Sequence, residues 1–195
     1  MGRLGLEVVV GSMNKIANDL RLLASGPRNG LGELDQPENQ PGSSIMPGKI
    51  NPVVAEAVNQ VHKQVVGNDA AVSAGAAEGQ IDLNLYKPVL AHNFLQSAAM
   101  LANASEAFGE KFVAKLEANE AACEAQVERS MALATALNPT IGYDKASEVA
   151  KAALKEGKTV KEVVVEKGYL SESEAVDVLD PEQMTHRGIL SGDDD

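Results

Sequence analysis

The sequence predicts an all-α fold, a bundle of long helices followed by a small C-terminal helical domain. Aromatic residues are only 3% of the chain and Trp is absent, while Ala and Val are abundant. That balance suits closely packed helices better than strands built on aromatic pairs. Apolar residues also recur at helical intervals through long proline-free runs. Beyond Pro139 the start and stop signals crowd together, so the elements shorten.

Residues 4–24 place Leu4, Val8, Met13, Ile16, Leu20 and Leu23 at roughly helical spacing, with Lys15, Asn18, Asp19 and Arg21 on the other side. This helix stops at Gly26-Pro27. The stretch 26–52 is punctuated by Pro27, Pro37, Pro41 and Pro47 and reads as one long loop. Loops of this length between helices are more often functional than accidental.

From Pro52 a second helix is expected to about residue 78, with Val54, Ala57, Val58, Val61 and Val65 as its apolar stripe, Glu56, Gln60 and Lys63 on a polar face, and a distortion near Gly67. After a turn at Gly79-Gln80, Pro88 opens a third helical run through Leu90, Phe94, Leu95, Leu101 and Phe108. Asn119 caps a further helix expected to run to residue 137, closed by Asn138-Pro139. The wide apolar faces of these helices point to a bundle that buries more than one side, against other subunits.

This organisation divides the chain into residues 1–138, the bundle portion carrying the 26–52 loop, and residues 139–195, a small helical domain. In the latter, Asp144 is a cap for a helix ending at Gly157, and Thr159 with Glu162 and Ser171 with Glu174 have the spacing of capping boxes. Residues 191–195 read as a frayed acidic end.

At 195 residues and 44% hydrophobic content the chain can bury a core in one or two domains. Its net charge of −11 argues against nucleic acid or an anionic membrane surface as partner, and suits a high-salt cytoplasm. Cys123 is the only cysteine, so neither an internal disulfide nor a cysteine cluster is available, as in a reducing cytoplasm. Cys123 itself reads as a small buried filler on an Ala-rich helix. Arg3, Glu7, Lys15 and Asp19 interrupt any leader-like apolar run, and no other stretch is apolar enough to span a membrane. His62, His92 and His186 have no ligand-like spacing, so no metal site is expected.

The chemistry concentrates in Gly42-Ser43-Ser44-Ile45-Met46-Pro47-Gly48-Lys49-Ile50-Asn51-Pro52. Two glycines permit close backbone approach, and two hydroxyls, an ammonium and an amide stand beside them. Asn51 as N-cap and Pro52 at the first helical position would aim free N–H donors and the positive helix end at the loop, beside Lys49. That is a site for a carboxylate or phosphate. The bland alternative is a Gly/Pro surface loop before a capped helix, its serines bonding their own backbone and Glu56 solvated near a helix start.

This string resembles the signature loop of the fumarase/aspartase superfamily. Other runs are similar to class II fumarate hydratase: Ser25-Gly26-Pro27-Arg28, Gly67-Asn68-Asp69, Lys87-Pro88, Asn93-Phe94-Leu95-Gln96-Ser97 and Ile141-Gly142-Tyr143-Asp144-Lys145-Ala146. Gly48, Lys87-Pro88 and Tyr143 to Ala146 side with fumarase over aspartase, whereas Val53-Val54 and Asn59-Gln60-Val61 look aspartase-like. The resemblance runs from residue 13 to about 185 and matches only the C-terminal part of such enzymes.

It implies a bundle of the fumarase/aspartase type, a homotetramer without cofactor, and reversible hydration of fumarate to L-malate. By the same resemblance Ser43 would be the general base, and Ser44, Lys49, Ile50 and Asn51 would bind substrate. Glu56 would orient a catalytic His that lies in a region this chain does not match, so little activity is expected of the chain alone. Aspartate ammonia-lyase activity and a non-catalytic helical oligomer are the alternatives.

Overall fold

The computed structural model describes residues 2–26, 28–42 and 45–186. Its elements in chain order are α1 (Gly2–Leu23), β1 (Leu34–Asp35), α2 (Val53–Ala77), α3 (Lys87–Lys111), β2 (Glu117–Ala118), α4 (Glu120–Glu128), α5 (Asn138–Ile141), α6 (Tyr143–Glu156), α7 (Val160–Glu166) and α8 (Glu172–Val178). Tighter 3-10 turns cover Val113–Lys115, Met131–Leu137 and Gln183–Thr185. The all-α expectation is met, the paired strands having two residues each. The chain divides into two compact units, Met1–Asn119 and Glu120–Asp195.

In the first unit α1, α2 and α3 pack side by side. Along α1, Val10 and Ala17 are fully buried and Met13 and Leu20 pack beside them. That spacing of three and four residues is a true helical stripe. Val8 and Ile16, expected on the same face, are instead 67% and 50% exposed. On α2 the matching stripe is Ala55, Val58 and Val65, with Val54 and Val61 partly buried, while Ala57 is exposed. Phe108 and Phe112 stack with ring centroids 5.6 Å apart and close one end of this core.

α2 runs unbroken through Gly67, where a distortion was expected. Its first helical residue is Val53, and no side chain caps it. Pro52 therefore precedes the helix instead of opening it, and Asn51 is not its cap. α2 and α3 are joined by a turn in which Gln80 and Leu83 form a bridge and exposed Ile81 takes a positive φ of 51°.

The second unit begins earlier than residue 139. The expected helix over 119–137 is instead the nine-residue α4 followed by the 3-10 turn, whose start is capped by the Ser130 hydroxyl accepting from Ala132 N–H. Burial explains the change: Leu133, Ala134, Ala136 and Leu137 all enter the cluster that also contains Val149, Ala153, Val160, Val163, Val164 and Ala175. In the 3-10 turn, at about three residues per turn, Leu133 stacks over Ala136 and Ala134 over Leu137, which narrows the face these four present to the cluster. Asn138-Pro139 accordingly opens α5 rather than closing a helix.

α6 ends where predicted, on Gly157 in the left-handed region (φ 69°), which costs a glycine little. Asp144 sits in its first turn, behind the cap position held by Gly142. Both predicted capping boxes are present, Thr159 with Glu162 at α7 and Ser171 with Glu174 at α8. Cys123 on α4 is half-buried rather than buried.

Candidate active site

The chain leaving α1 folds back on the end of that helix. Gly32 N–H donates to the Ser25 carbonyl at 2.8 Å, Leu31 N–H to Ser25 Oγ at 3.2 Å, and Glu33 N–H to the Leu23 carbonyl at 2.9 Å. β1 then pairs antiparallel with β2, Leu34 opposite Ala118, and Asn119 N–H donates to the Glu33 carbonyl at 3.0 Å. The 26–52 loop is thus anchored at its beginning by helix and strand.

At its far end the loop is held by backbone and one amide. Lys49 N–H closes a turn on the Met46 carbonyl at 3.3 Å, with Gly48 at φ 77°. The Lys49 carbonyl crosses directly over Gly42, where any Cβ would overlap it. Gln36 Nε2 donates to the Ile50 carbonyl at 3.4 Å, while Gln36 Oε1 is buried without a hydrogen bond among the described residues. Together these leave a cavity of about 300 Å³ walled by Leu34, Asp35, Gln36, Lys49, Ile50 and Asn119, among others.

Of the residues singled out in the sequence, Lys49 and Ile50 therefore share a cavity wall, both exposed to solvent. Asn51 is half-buried, its carbonyl accepting from Val53 N–H at 2.8 Å, so one of the helix-start donors is spent within the chain. Ser43 and Ser44 lie outside the described residues. Glu56 stands in the first turn of α2, its Oε1 3.7 Å from Arg21 Nη2 on α1.

Sequence reasoning missed three kinds of neighbour. Arg21 had been placed only on the polar side of α1, and its pairing with Glu56 depends on two helices meeting. Asp35 ends β1, and Gln36 and Asn119 directly follow β1 and β2, whose pairing spans most of the unit and leaves no local pattern. Asn59, one turn after Glu56, was legible in principle, since that spacing puts both on one face.

Among the described residues no group of three His, Cys, Asp or Glu side chains is placed to hold a metal ion. A second cavity, about 440 Å³, lies in the second unit around Leu133, Thr159, Lys161, Ala175 and Leu179 and contains none of the loop residues. No helix among the described residues is long and apolar enough to cross a membrane.

Comparison with known proteins agrees with this arrangement. Residues 5–67 match the family described as "Lyase" and residues 133–186 the family described as "Fumarase C C-terminus". The first match takes in α1, the loop and the first half of α2, and the second takes in α5 to α8, so these parts resemble a helical lyase. A class II fumarate hydratase from Halobacterium salinarum is 94% identical over 174 residues, covering 89% of this chain and 37% of that protein. A crystal structure of class II fumarase from Schistosoma mansoni superposes with a TM-score of 0.85 at 35% identity, over 92% of this chain and 37% of the other. A cobalt-bound fumarate lyase:delta crystallin from Brucella melitensis does so with a TM-score of 0.88 at 50% identity, over 93% and 39%.

The chain matches the C-terminal part of class II fumarate hydratases. It spans about two fifths of the length of the curated relatives.

Proposed function

We propose that this chain supplies one portion of a fumarate hydratase active site, working in the reversible addition of water to fumarate to give L-malate. The observation that carries this is the placement of Lys49 and Ile50 on the wall of a 300 Å³ cavity, at the end of the loop that leads to Glu56. The 94% identity with the Halobacterium salinarum enzyme supports it.

The difficult step removes a weakly acidic proton beside a carboxylate, so charge accumulates on that carboxylate in the transition state. The Lys49 ammonium offsets it and the Asn51 amide donates a hydrogen bond to it, with Ser44 and the backbone at Ile50 holding the substrate. Ser43 accepts the proton. Its hydroxyl is too weak a base unless its alkoxide is stabilised, which glycine backbone and Lys49 provide. Glu56 orients an imidazole from a segment outside this chain, as a carboxylate does in a catalytic triad. In the complete enzyme this implies a cytoplasmic homo-oligomer, a tetramer in the family, with sites shared between chains and a place in the tricarboxylic acid cycle.

The test places residues 1–195 in the Halobacterium salinarum relative in exchange for its matching stretch. The hybrid is expected to hydrate fumarate and to release no ammonia from aspartate. Lys49→Ala is expected to lower kcat by about 10² or more, the cost of one preorganised charge-stabilising group. Undiminished hydration by that variant would overturn the assignment.

A further inference from the structure

Glu56 is held in an unusual way for a half-exposed glutamate. Its partner Arg21 is anchored elsewhere. Arg21 Nη1 donates to Asn59 Oδ1 at 2.9 Å and reaches Asn18 Oδ1 at 3.4 Å, whereas Nη2 stands 3.7 Å from Glu56 Oε1. Asn59 is fixed in turn, its Nδ2 donating to the Asn14 carbonyl at 3.3 Å and to Asn14 Oδ1 at 3.0 Å. Lys63 Nζ donates to the same Asn14 Oδ1 at 3.1 Å. Arg21 Nε is buried without a hydrogen bond among the described residues.

An ordinary surface ion pair puts its shortest contact on the carboxylate and contributes little. Here the guanidinium spends its short bond on a neutral amide one turn along α2 and meets the carboxylate at longer range. The planar fork is thereby locked to α2 at residue 59, and its second arm limits where the Glu56 carboxylate can swing. The arginine approaches Glu56 through Oε1, which leaves Oε2 as the edge for an N–H donor from outside.

We infer that Arg21 is a positioning residue for Glu56, holding one edge of its carboxylate so that the opposite edge meets the imidazole it orients. This rests on the reading of Glu56 given above. Charge alone does not suffice on this account, because a lysine could approach Glu56 but could not bridge residues 56 and 59 with two fixed donors.

The experiment is a kinetic cycle in the hybrid enzyme with Arg21→Gln, Arg21→Lys, Glu56→Gln and the double variant Arg21→Gln/Glu56→Gln. Arg21→Gln is expected to lower kcat about tenfold with KM within about twofold, as for a misplaced catalytic group. Arg21→Lys is expected to recover only part of that loss, and Arg21→Gln to cost nothing further once Glu56 is Gln. Unchanged kcat in Arg21→Gln, full recovery by Arg21→Lys, or undiminished losses in the double variant would each overturn the inference while leaving Glu56 in its role. An unchanged rate in Glu56→Gln alone would overturn the role of Glu56 and the inference together. Should Arg21→Gln fail to fold, Asn59→Ala keeps both charges and frees the guanidinium; it is expected to lower kcat in the same direction, and an unchanged kcat there overturns the inference.

Discussion

Asn68 on α2 donates through Nδ2 to Ser97 Oγ on α3 at 3.0 Å, and the two residues are only 3% and 4% exposed. The same nitrogen reaches Gln96 Oε1 at 2.9 Å, and Asn68 Oδ1 accepts from Gln64 Nε2 at 2.9 Å. A satisfied polar layer therefore crosses the interface between the two longest helices, where it fixes their register against sliding. Asn68→Ala is expected to cost about 2 kcal/mol, because it leaves the buried Ser97 hydroxyl without its donor. Urea unfolding at fixed salt measures this, and a loss too small to resolve would show that the layer does not hold the helix pair.

Gly42 lies under the Lys49 carbonyl, so Gly42→Ala must push the loop away from the cavity wall. The surrounding loop is exposed and contributes little to the core, and the melting temperature of the hybrid enzyme is expected to stay within a few degrees. Fumarate hydration is expected to fall by about tenfold or more, since positioning of Lys49 and Ile50 is lost. A fall in melting temperature that accounts for the lost activity would make Gly42 a stability residue instead.

The capping boxes predict how the second unit responds to acid. Glu162 has its pKa lowered, first by the Thr159 backbone N–H and then by its hydroxyl, and Glu174 has its pKa lowered by the Ser171 hydroxyl and N–H. A carboxyl group held lower in the folded than in the unfolded state adds stability above its unfolded pKa, and that stability is lost as pH falls through the folded value. Amide exchange protection in α7 and α8 is therefore expected to drop below the ordinary glutamate range. Thr159→Ala is expected to cost about 1 kcal/mol at neutral pH, and Glu162→Gln to flatten the acid response of α7. Unaltered acid sensitivity in Glu162→Gln would assign the effect to other carboxylates.

Assayed alone, the chain is expected to leave fumarate absorbance unchanged over background, because the proposed function has Glu56 orient an imidazole supplied by another segment. Turnover near that of the hybrid enzyme would show that the chain supplies its own acid-base partner.

Local rules read well in this sequence because their causes are local. Gly157 at a left-handed turn, Thr159 and Ser171 three residues before their glutamates, and the proline-free stretches of α2 and α3 each involve groups within a turn or two of one another. The 119–137 segment was misread for the opposite reason. Its composition favours a helix, yet α4 stops at Glu128 and a 3-10 turn capped by Ser130 carries Leu133, Ala134, Ala136 and Leu137 into a cluster built with residues from 146 to 179, far beyond any local window.

The candidate site divides along the same line. The sequence alone determined that residues 42–52 join close-approach glycines, hydroxyls and an ammonium ahead of a helix, and that Glu56 follows within its first turn. Only the tertiary structure decided that Lys49 lines one cavity with Asp35, Gln36 and Asn119, that Val10 and Ala17 rather than Val8 and Ile16 are buried, and that Arg21 meets Glu56. Backbone hydrogen bonds within a turn are specified by neighbouring residues. Which faces of two helices meet is set by the summed burial and pairing of residues far apart in the chain, which no short window of sequence contains.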